Sequence, residues 1–295
     1  MKLLITGAKG QLGWELQQVL ARGQADIGKL PEIYAGAEIV AVDVDTLDIT
    51  DRDATLAFVK KVTPAVIFNC AAYTQVDACE EKDAVADKVN GDGVRHLAEA
   101  AEAVGAKLVH VSTDYVFDGK GTSPYREDDP TDPATAYGRT KVHGEQAALS
   151  VCSRSFVLRT AWLYGPGGPN FVKTMLRLGS SRDTVTVVCD QVGSPTYTED
   201  LAWTMLALAV TDAYGIYHVT GGGQCSWCEF ATAIMAKAQN GCTVQPCTSA
   251  EYPSKTPRPA YSVLGHGALQ AVGLDRMRPW EEALDAYFKR TEEKQ

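Results

Sequence analysis

Lys2-Leu3-Leu4-Ile5-Thr6-Gly7-Ala8-Lys9-Gly10-Gln11-Leu12-Gly13 decides the fold. The first five residues are a short apolar run broken by glycine, the pattern of a buried strand. From Leu12 to Arg22 the apolar residues recur at helical spacing. Between them the glycines permit a tight turn and let a ligand lie close to the backbone. The first turn of a helix offers unpaired N–H groups and the positive end of the dipole to a pyrophosphate. A glycine turn alone is weak evidence, because many turns contain glycine. Here it stands in the strand–turn–helix context that dinucleotide binding requires, with spacing G-x-x-G-x-x-G rather than G-x-G-x-x-G. The predicted cofactor contacts in this turn are Gly7, Gly10, Gln11, Leu12 and Gly13.

Downstream the same alternation continues. Strands are predicted at 39–44, 65–69, 107–112 and 155–160. Helices are predicted at 51–62, capped by Thr50 or Asp51, at 137–150, and at 83–105 with an interruption near Gly91-Asp92-Gly93. Strands alternating with helices imply right-handed crossovers and a parallel sheet covered on both faces. The fold class is α/β, a doubly wound parallel sheet. After residue 160 the pattern loosens at Gly165-Pro166-Gly167-Gly168-Pro169. Helices at 170–179, 199–210 and 226–239 and strands at 185–188 and 215–219 follow. The expected division is a sheet domain over 1–160 and a smaller part over 161–295, interleaved with it.

At roughly 150 residues per domain, 295 residues fit two such units. Hydrophobic residues make up 45% and charged residues 22%, which excludes disorder and coiled coil. With 28 Lys and Arg against 37 Asp and Glu, the net charge is −9. That balance argues against nucleic acid or an anionic membrane as a partner. A phosphorylated ligand would need local cations, for which Lys9, Lys141, Lys173 and Arg258 are candidates. The longest apolar stretch, 201–210, is far short of the roughly 20 residues a membrane span needs. No signal peptide precedes the first strand, so the cytoplasm is the expected location. Eight cysteines in a reducing compartment read as free thiols. Cys225-x-x-Cys228 and Cys242-x4-Cys247 loosely suggest zinc. The second pair has the wrong spacing, and Ser226 reads as a helix cap, so no metal is assigned.

An acid ending the second strand commonly binds the adenosine ribose hydroxyls. Asp43 is that acid, although it stands further from the glycines than the usual ~20 residues. The polar insertion at 23–37 explains the excess. Asp43 disfavours a 2′-phosphate, while Lys9 or Arg22 offsets it, so NADPH and NADH both stay open. Asp48-Ile49 is a candidate adenine contact, and Asp48 serves equally as a loop or capping acid. Asn69-Cys70-Ala71-Ala72-Tyr73 ends the third strand, where small residues let a cofactor lie on the backbone.

Tyr137-Gly138-Arg139-Thr140-Lys141 places a phenol and an ammonium on one helix face. A nearby cation is expected to lower the tyrosine pKa, suiting a proton donor to a ketone. A Tyr-x-x-x-Lys alone is common on helices. Here Ser112 and Thr113 end the fourth strand, at the sheet edge where ligands bind in such folds. Either hydroxyl could hydrogen-bond a substrate carbonyl.

Six features carry a resemblance. They are the Gly7/Gly10/Gly13 turn, the 69–77 segment, Ser112-Thr113-Asp114-Tyr115-Val116-Phe117, Tyr137/Lys141, Arg159-Thr160-Ala161-Trp162-Leu163-Tyr164-Gly165, and Asp190-Gln191-Val192-Gly193-Ser194-Pro195-Thr196. Together, from residue 1 to about 285, the chain resembles the dTDP-4-dehydrorhamnose reductases, within the extended short-chain dehydrogenases. The resemblance implies a Rossmann-type sheet and hydride delivery from NADH or NADPH to C4 of dTDP-4-dehydro-β-L-rhamnose. By it Thr113, Tyr137 and Lys141 are catalytic: Tyr137 protonates, Lys141 tunes it and anchors the ribose, Thr113 orients the carbonyl. Thr113, Asp114 and Trp162 contact the substrate, Trp162 being otherwise a core aromatic. Ala71, Ala72 and Tyr73 match the cofactor-contacting strand end, where Tyr73 departs from a frequent histidine.

Some members form a magnesium-linked homodimer through acids. Glu15 matches one such position, and Glu292 and Glu293 lie near the last residues. Acids on a helix or in a charged tail are more often solvated, so no metal is assigned and a homodimer stays open. Two rivals share the motifs. A sugar-nucleotide epimerase or dehydratase shares the turn and the Tyr/Lys pair, although dehydratases usually carry a further Glu after Thr113-Asp114. A non-catalytic NADP-binding regulatory subunit of methionine adenosyltransferase shares the Ser-Thr-Asp-Tyr-Val-Phe string.

Overall fold

A computed structural model describes residues 1–292. Its main strands are β1 (Lys2–Thr6), β2 (Glu38–Val42), β3 (Val66–Asn69), β4 (Lys107–Thr113), β5 (Ser155–Thr160), β6 (Thr184–Val188), β7 (Gly215–His218) and β8 (Thr243–Cys247). Its main helices are α1 (Gln11–Arg22), α2 (Arg52–Val62), α3 (Gly93–Val104), α4 (Ala136–Val151), α5 (Phe171–Gly179), α6 (Thr198–Ala209), α7 (Trp227–Ala238) and α8 (Trp280–Glu292).

Six strands form one parallel sheet in the order β2-β1-β3-β4-β5-β7. In register, Thr6 lies beside Val42 and Asn69, and Thr113 beside Thr160. The carboxyl ends therefore form one rim. The strand order reverses between β1 and β3, where an open α/β sheet makes its ligand crevice. This is the doubly wound, Rossmann-type α/β sheet read from the alternation.

Successive side chains of a strand point to opposite faces. Leu3 and Ile5 of β1 join a core with Leu12 and Leu16 of α1 and Leu201 and Met205 of α6. Leu4 points the other way, into a core with Val59 of α2, Leu97 of α3 and Ala148 of α4. Each fully buried leucine or isoleucine here contributes about 1.5–3 kcal/mol. Every residue of α6 is buried, which explains why it is apolar on all sides from Leu201 onward except at Thr204. Both α6 and β7, though beyond residue 160, belong to the layers of this sheet. A third core holds Val172, Val187, Phe230, Ile234, Trp280 and Leu284, around the parallel pair β6–β8 and helices α5, α7 and α8.

Local chemistry sets the ends. Asp51 caps α2 by accepting the Ala54 amide at 3.0 Å, and Ser226 with Glu229 forms a capping box on α7. The insertion at 23–37 is more than polar filler. It folds into a hairpin (Gln24–Ala25 with Gly28–Lys29), and buried Tyr34 donates to Leu206 O at 2.8 Å. The helix expected over 83–105 runs without a gap from Asp83 to Val104, and its irregular stretch includes Gly91 and Asp92, where the interruption is predicted. Short helices at Val76–Glu81 and Asp83–Asp87 lead into a π turn at Lys88–Asp92 before α3. Only glycine fits at two of these positions: a Cβ on Gly91 would lie 2.1 Å from His143 Nδ1, and one on Gly93 2.8 Å from Ile49 Cγ1.

Among the described residues no helix is long and apolar enough to cross a membrane. Among them, too, no three His, Cys, Asp or Glu side chains gather in a metal-binding group, and the eight cysteines are unpaired thiols.

Candidate active site

Two glycines have no alternative in the first turn. Gly7 has φ +65°, and a Cβ on it would lie 2.6 Å from the Ala71 nitrogen. A Cβ on Gly13 would lie 2.3 Å from Gly7 O. The turn is thus pressed against the end of β3, and α1 starts directly behind it. Gly10 is the N-cap of α1, and Gln11 and Leu12 face a cavity of about 920 Å³. Ala71, Ala72, Thr113, Asp114, Tyr137, Lys141 and Trp162 line the same cavity. The sheet half and the later part both contribute walls. This cradle, with no room for a Cβ and a helix start turned toward it, fits a dinucleotide.

Tyr137 lies in the first turn of α4, whose cap Thr135 accepts the Gly138 amide at 3.1 Å. The helix start can pack on the β4 loop because Gly138 has no side chain; a Cβ there would stand 2.2 Å from Tyr115 O. Lys141 Nζ donates to Val111 O at 2.7 Å and is almost wholly buried. The expected lowering of the Tyr137 pKa by Lys141 is not what the site shows. Burial pushes the phenol well above its usual value, contact with the Thr113 hydroxyl pulls it down in part, and Asp114 and Tyr115 add to the rise. Tyr137 is therefore held as a protonated phenol. Lys141 is pulled down to about 8 by burial, against opposing pulls from Glu145 and Cys70. Asp114, buried beside them, accepts from Thr113 Oγ1 at 2.9 Å, and burial raises its carboxyl to about 6.

Trp162 is half-buried and has φ +47°, uncommon for any residue but glycine. Its ring stacks on Trp227 at 3.5 Å and 7°, and a Cβ on Gly193 would lie 2.5 Å from it. Packing on both sides holds it in this conformation while it lines the cavity.

Most of the remaining predicted residues are held by partners within the chain. Asp43 accepts the Lys9 amide and the Val44 amide, both at 2.9 Å, so it secures the glycine turn to the end of β2. The two cations expected to offset it are engaged: Lys9 with Asp45, Arg22 with Glu199 and Glu15. Asp48 accepts from the Thr50 amide and hydroxyl, and Ile49 packs in the core under α3. Tyr73 packs near Tyr137, its backbone held by Asn90. Lys173 is tied to Gly168 O at 2.8 Å, while Arg258 reaches the cavity and pairs with Asp77 at 2.9 Å. Glu15 differs from the solvated acid expected: it is fully buried and ion-paired with Arg290 at 2.7 Å and Arg22 at 3.4 Å. Two guanidinium groups occupy the ground a cation would need. Glu292 is exposed, and Glu293 lies outside the described residues.

Sequence reasoning missed several residues. Asn90, swung inward by the π turn, donates to Tyr73 O and Thr140 Oγ1, both at 3.0 Å. Glu145 accepts from Ser112 Oγ at 2.6 Å and pairs with buried Arg159 at 2.7 Å, tying α4 to the ends of β4 and β5. Its position four residues after Lys141 was the available signal. Trp227 gave none, since its contact with Trp162 spans distant segments.

The family described as RmlD substrate binding domain matches residues 1–293. The chain belongs to that family. A dTDP-4-dehydrorhamnose reductase of Streptomyces griseus is 46% identical to it, over 97% of this chain and 92% of that protein. The crystal structure of a dTDP-4-dehydrorhamnose reductase from Clostridium acetobutylicum superposes with a TM-score of 0.93 at 43% identity, over 99% of this chain and all of that one. That of Bacillus anthracis, in complex with NADP, superposes with a TM-score of 0.91 at 40% identity, over 98% and 99%. The resemblance read from the motifs is thereby borne out.

Proposed function

We propose that the chain reduces the C4 ketone of dTDP-4-dehydro-β-L-rhamnose to dTDP-L-rhamnose, using NADPH or NADH. One observation carries the reading: Thr113, Tyr137 and Lys141 converge on a cavity that also opens onto the glycine turn and Ala71. The relatives' names give the substrate class, and the NADP complex of one of them supports a nicotinamide cofactor.

Bound reduced nicotinamide supplies a hydride. Tyr137, kept protonated by burial, gives its proton to the carbonyl oxygen as the C–O bond gains charge. Thr113, in contact with the Tyr137 hydroxyl, orients that oxygen. The ammonium of Lys141 stabilises the tyrosinate left behind and holds the ribose hydroxyls. Trp162 offers its edge to the sugar. Arg258, with Nη1 buried and unpaired, is the cation placed to meet a phosphate. An acid-rich chain thus binds anionic ligands by local charge and a helix start rather than by net charge. In this reading residues 1–160 hold the cofactor and 161–295 the sugar nucleotide, with α6 and β7 returning to the sheet. The setting is the cytoplasm.

The test mixes purified protein, reduced cofactor and enzymatically generated dTDP-4-dehydrorhamnose, and follows cofactor absorbance. Oxidation of cofactor in step with loss of ketone is expected. No net oxidation, as for an epimerase or a regulatory subunit, would sink the reading.

A further inference from the structure

A buried hydrogen-bond chain links the end of β3 to Lys141. Asn69 and His110 are wholly buried register neighbours on β3 and β4. Asn69 Oδ1 accepts from Thr6 Oγ1 at 2.7 Å and from the Ala71 amide at 3.1 Å. A backbone amide can only donate, so the orientation of Asn69 is fixed. Flipped, it would set its NH2 against that N–H. The NH2 therefore faces His110 Nδ1, at 3.1 Å. An amide NH2 has no lone pair to offer, so His110 Nδ1 accepts and the ring proton of neutral imidazole sits on Nε2. Burial, and then Lys141, hold this ring well below its usual pKa, so it stays neutral.

His110 Nε2 lies 3.4 Å from Lys141 Nζ. An ammonium has donors only and meets this N–H donor to donor. A neutral amine keeps one N–H on Val111 O and turns its lone pair to His110. We propose that His110, fixed as the Nε2–H tautomer by Asn69, is a positioning residue that sets the proton affinity of Lys141. The proposal rests on the role given to Lys141 in the reductase reading.

The other titratable groups facing Lys141 are Glu145, one turn along α4, Cys70, after β3, and Tyr137. Glu145 pulls Lys141 upward although it pairs with Arg159, burial raises the Cys70 thiol to about 12, and Tyr137 is held protonated. His110 is the polar group beside the amine that turns an N–H toward it. The approach of α4 depends on Gly144, where a Cβ would stand 3.3 Å from His110 Nε2 and 2.2 Å from Asn90 O.

Long-range 15N–1H spectra of the histidine-labelled protein, without substrate, read the tautomer directly. The His110 signals are assigned by their loss in His110→Asn. The expected result is the Nε2–H form throughout the neutral range, with a step as Lys141 titrates that is absent in Lys141→Met. An Nδ1–H tautomer, an imidazolium near neutral pH, or no such step would overturn the proposal. His110→Asn keeps an acceptor for Asn69 and removes the donor facing Lys141. Its basic limb of kcat/KM should move up by about one pH unit, the scale of a neighbouring-group effect. A lower kcat with the limb unmoved would mark a merely structural role and also overturn it. The spectra need no turnover. A protein with the expected tautomer and titration step that fails to oxidise cofactor would sink the reductase reading alone.

Discussion

Ala71 and Trp162 face one cavity and are held there by different means. Ala71 is placed by backbone: parallel register, the Asn69 side chain, and a glycine turn packed to within a missing Cβ. Trp162 is placed by a side-chain stack on Trp227, with Gly193 close against its ring. Gln191, which lines the same cavity, is tied to Ser249 at 2.9 Å. The backbone-built wall suits a ligand that never changes shape, the cofactor. A wall built from side chains can be respecified by a few substitutions, which suits the variable sugar.

Four variants would break or sharpen that contrast. Tyr137→Phe should lower kcat by about 10²–10⁴ while cofactor affinity measured by fluorescence stays put. Retained turnover would remove the acid from the sheet-side wall. Asp114→Asn tests the charge buried where the walls meet. Its folded pKa of about 6 lies above the ~3.9 of an unfolded aspartate. The bound proton therefore stabilises the fold fully below pH ~4, and that contribution is lost as pH rises to about 6. Relative to the parent, Asp114→Asn should gain roughly 3 kcal/mol across that window in urea titrations. A pH-independent difference would contradict the burial. Gly13→Ala should cost about 1–3 kcal/mol, expressed as weaker cofactor binding, because its Cβ meets backbone that cannot yield. Unchanged cofactor affinity would show that the turn is looser than its contacts. Trp227→Ala should raise the sugar-nucleotide KM about 2- to 13-fold, the 0.5–1.5 kcal/mol of an aromatic pair, and leave cofactor affinity alone. An equal loss of cofactor affinity would erase the distinction between the walls.

The same division governs what the sequence revealed. Strand β1, the glycine turn and the Tyr137/Lys141 spacing are patterns within a dozen residues, and they were legible. The π turn was only half legible, since Gly91 and Gly93 marked a break but not the crowding by His143 and Ile49. Helix geometry placed Lys141 on the Tyr137 face correctly. It could not say that burial, rather than the ammonium, would dominate the phenol. Asp43 matched the acid position by its place after β2, and each of its oxygens accepts one backbone amide, from Lys9 and Val44, while keeping a second lone pair. Glu15 looked like a surface acid because Arg290, its shortest ion pair, lies at the other end of the chain. The Asn69–His110–Lys141 chain and the Trp162–Trp227 stack likewise join segments that no local pattern connects.

The most direct test of the central claim uses reduced cofactor deuterated at the transferable position. Turnover of dTDP-4-dehydrorhamnose should place one deuterium at C4 of the product sugar, read by NMR, and Tyr137→Phe should abolish it. Product or recovered sugar without deuterium at C4 would contradict hydride transfer at this site.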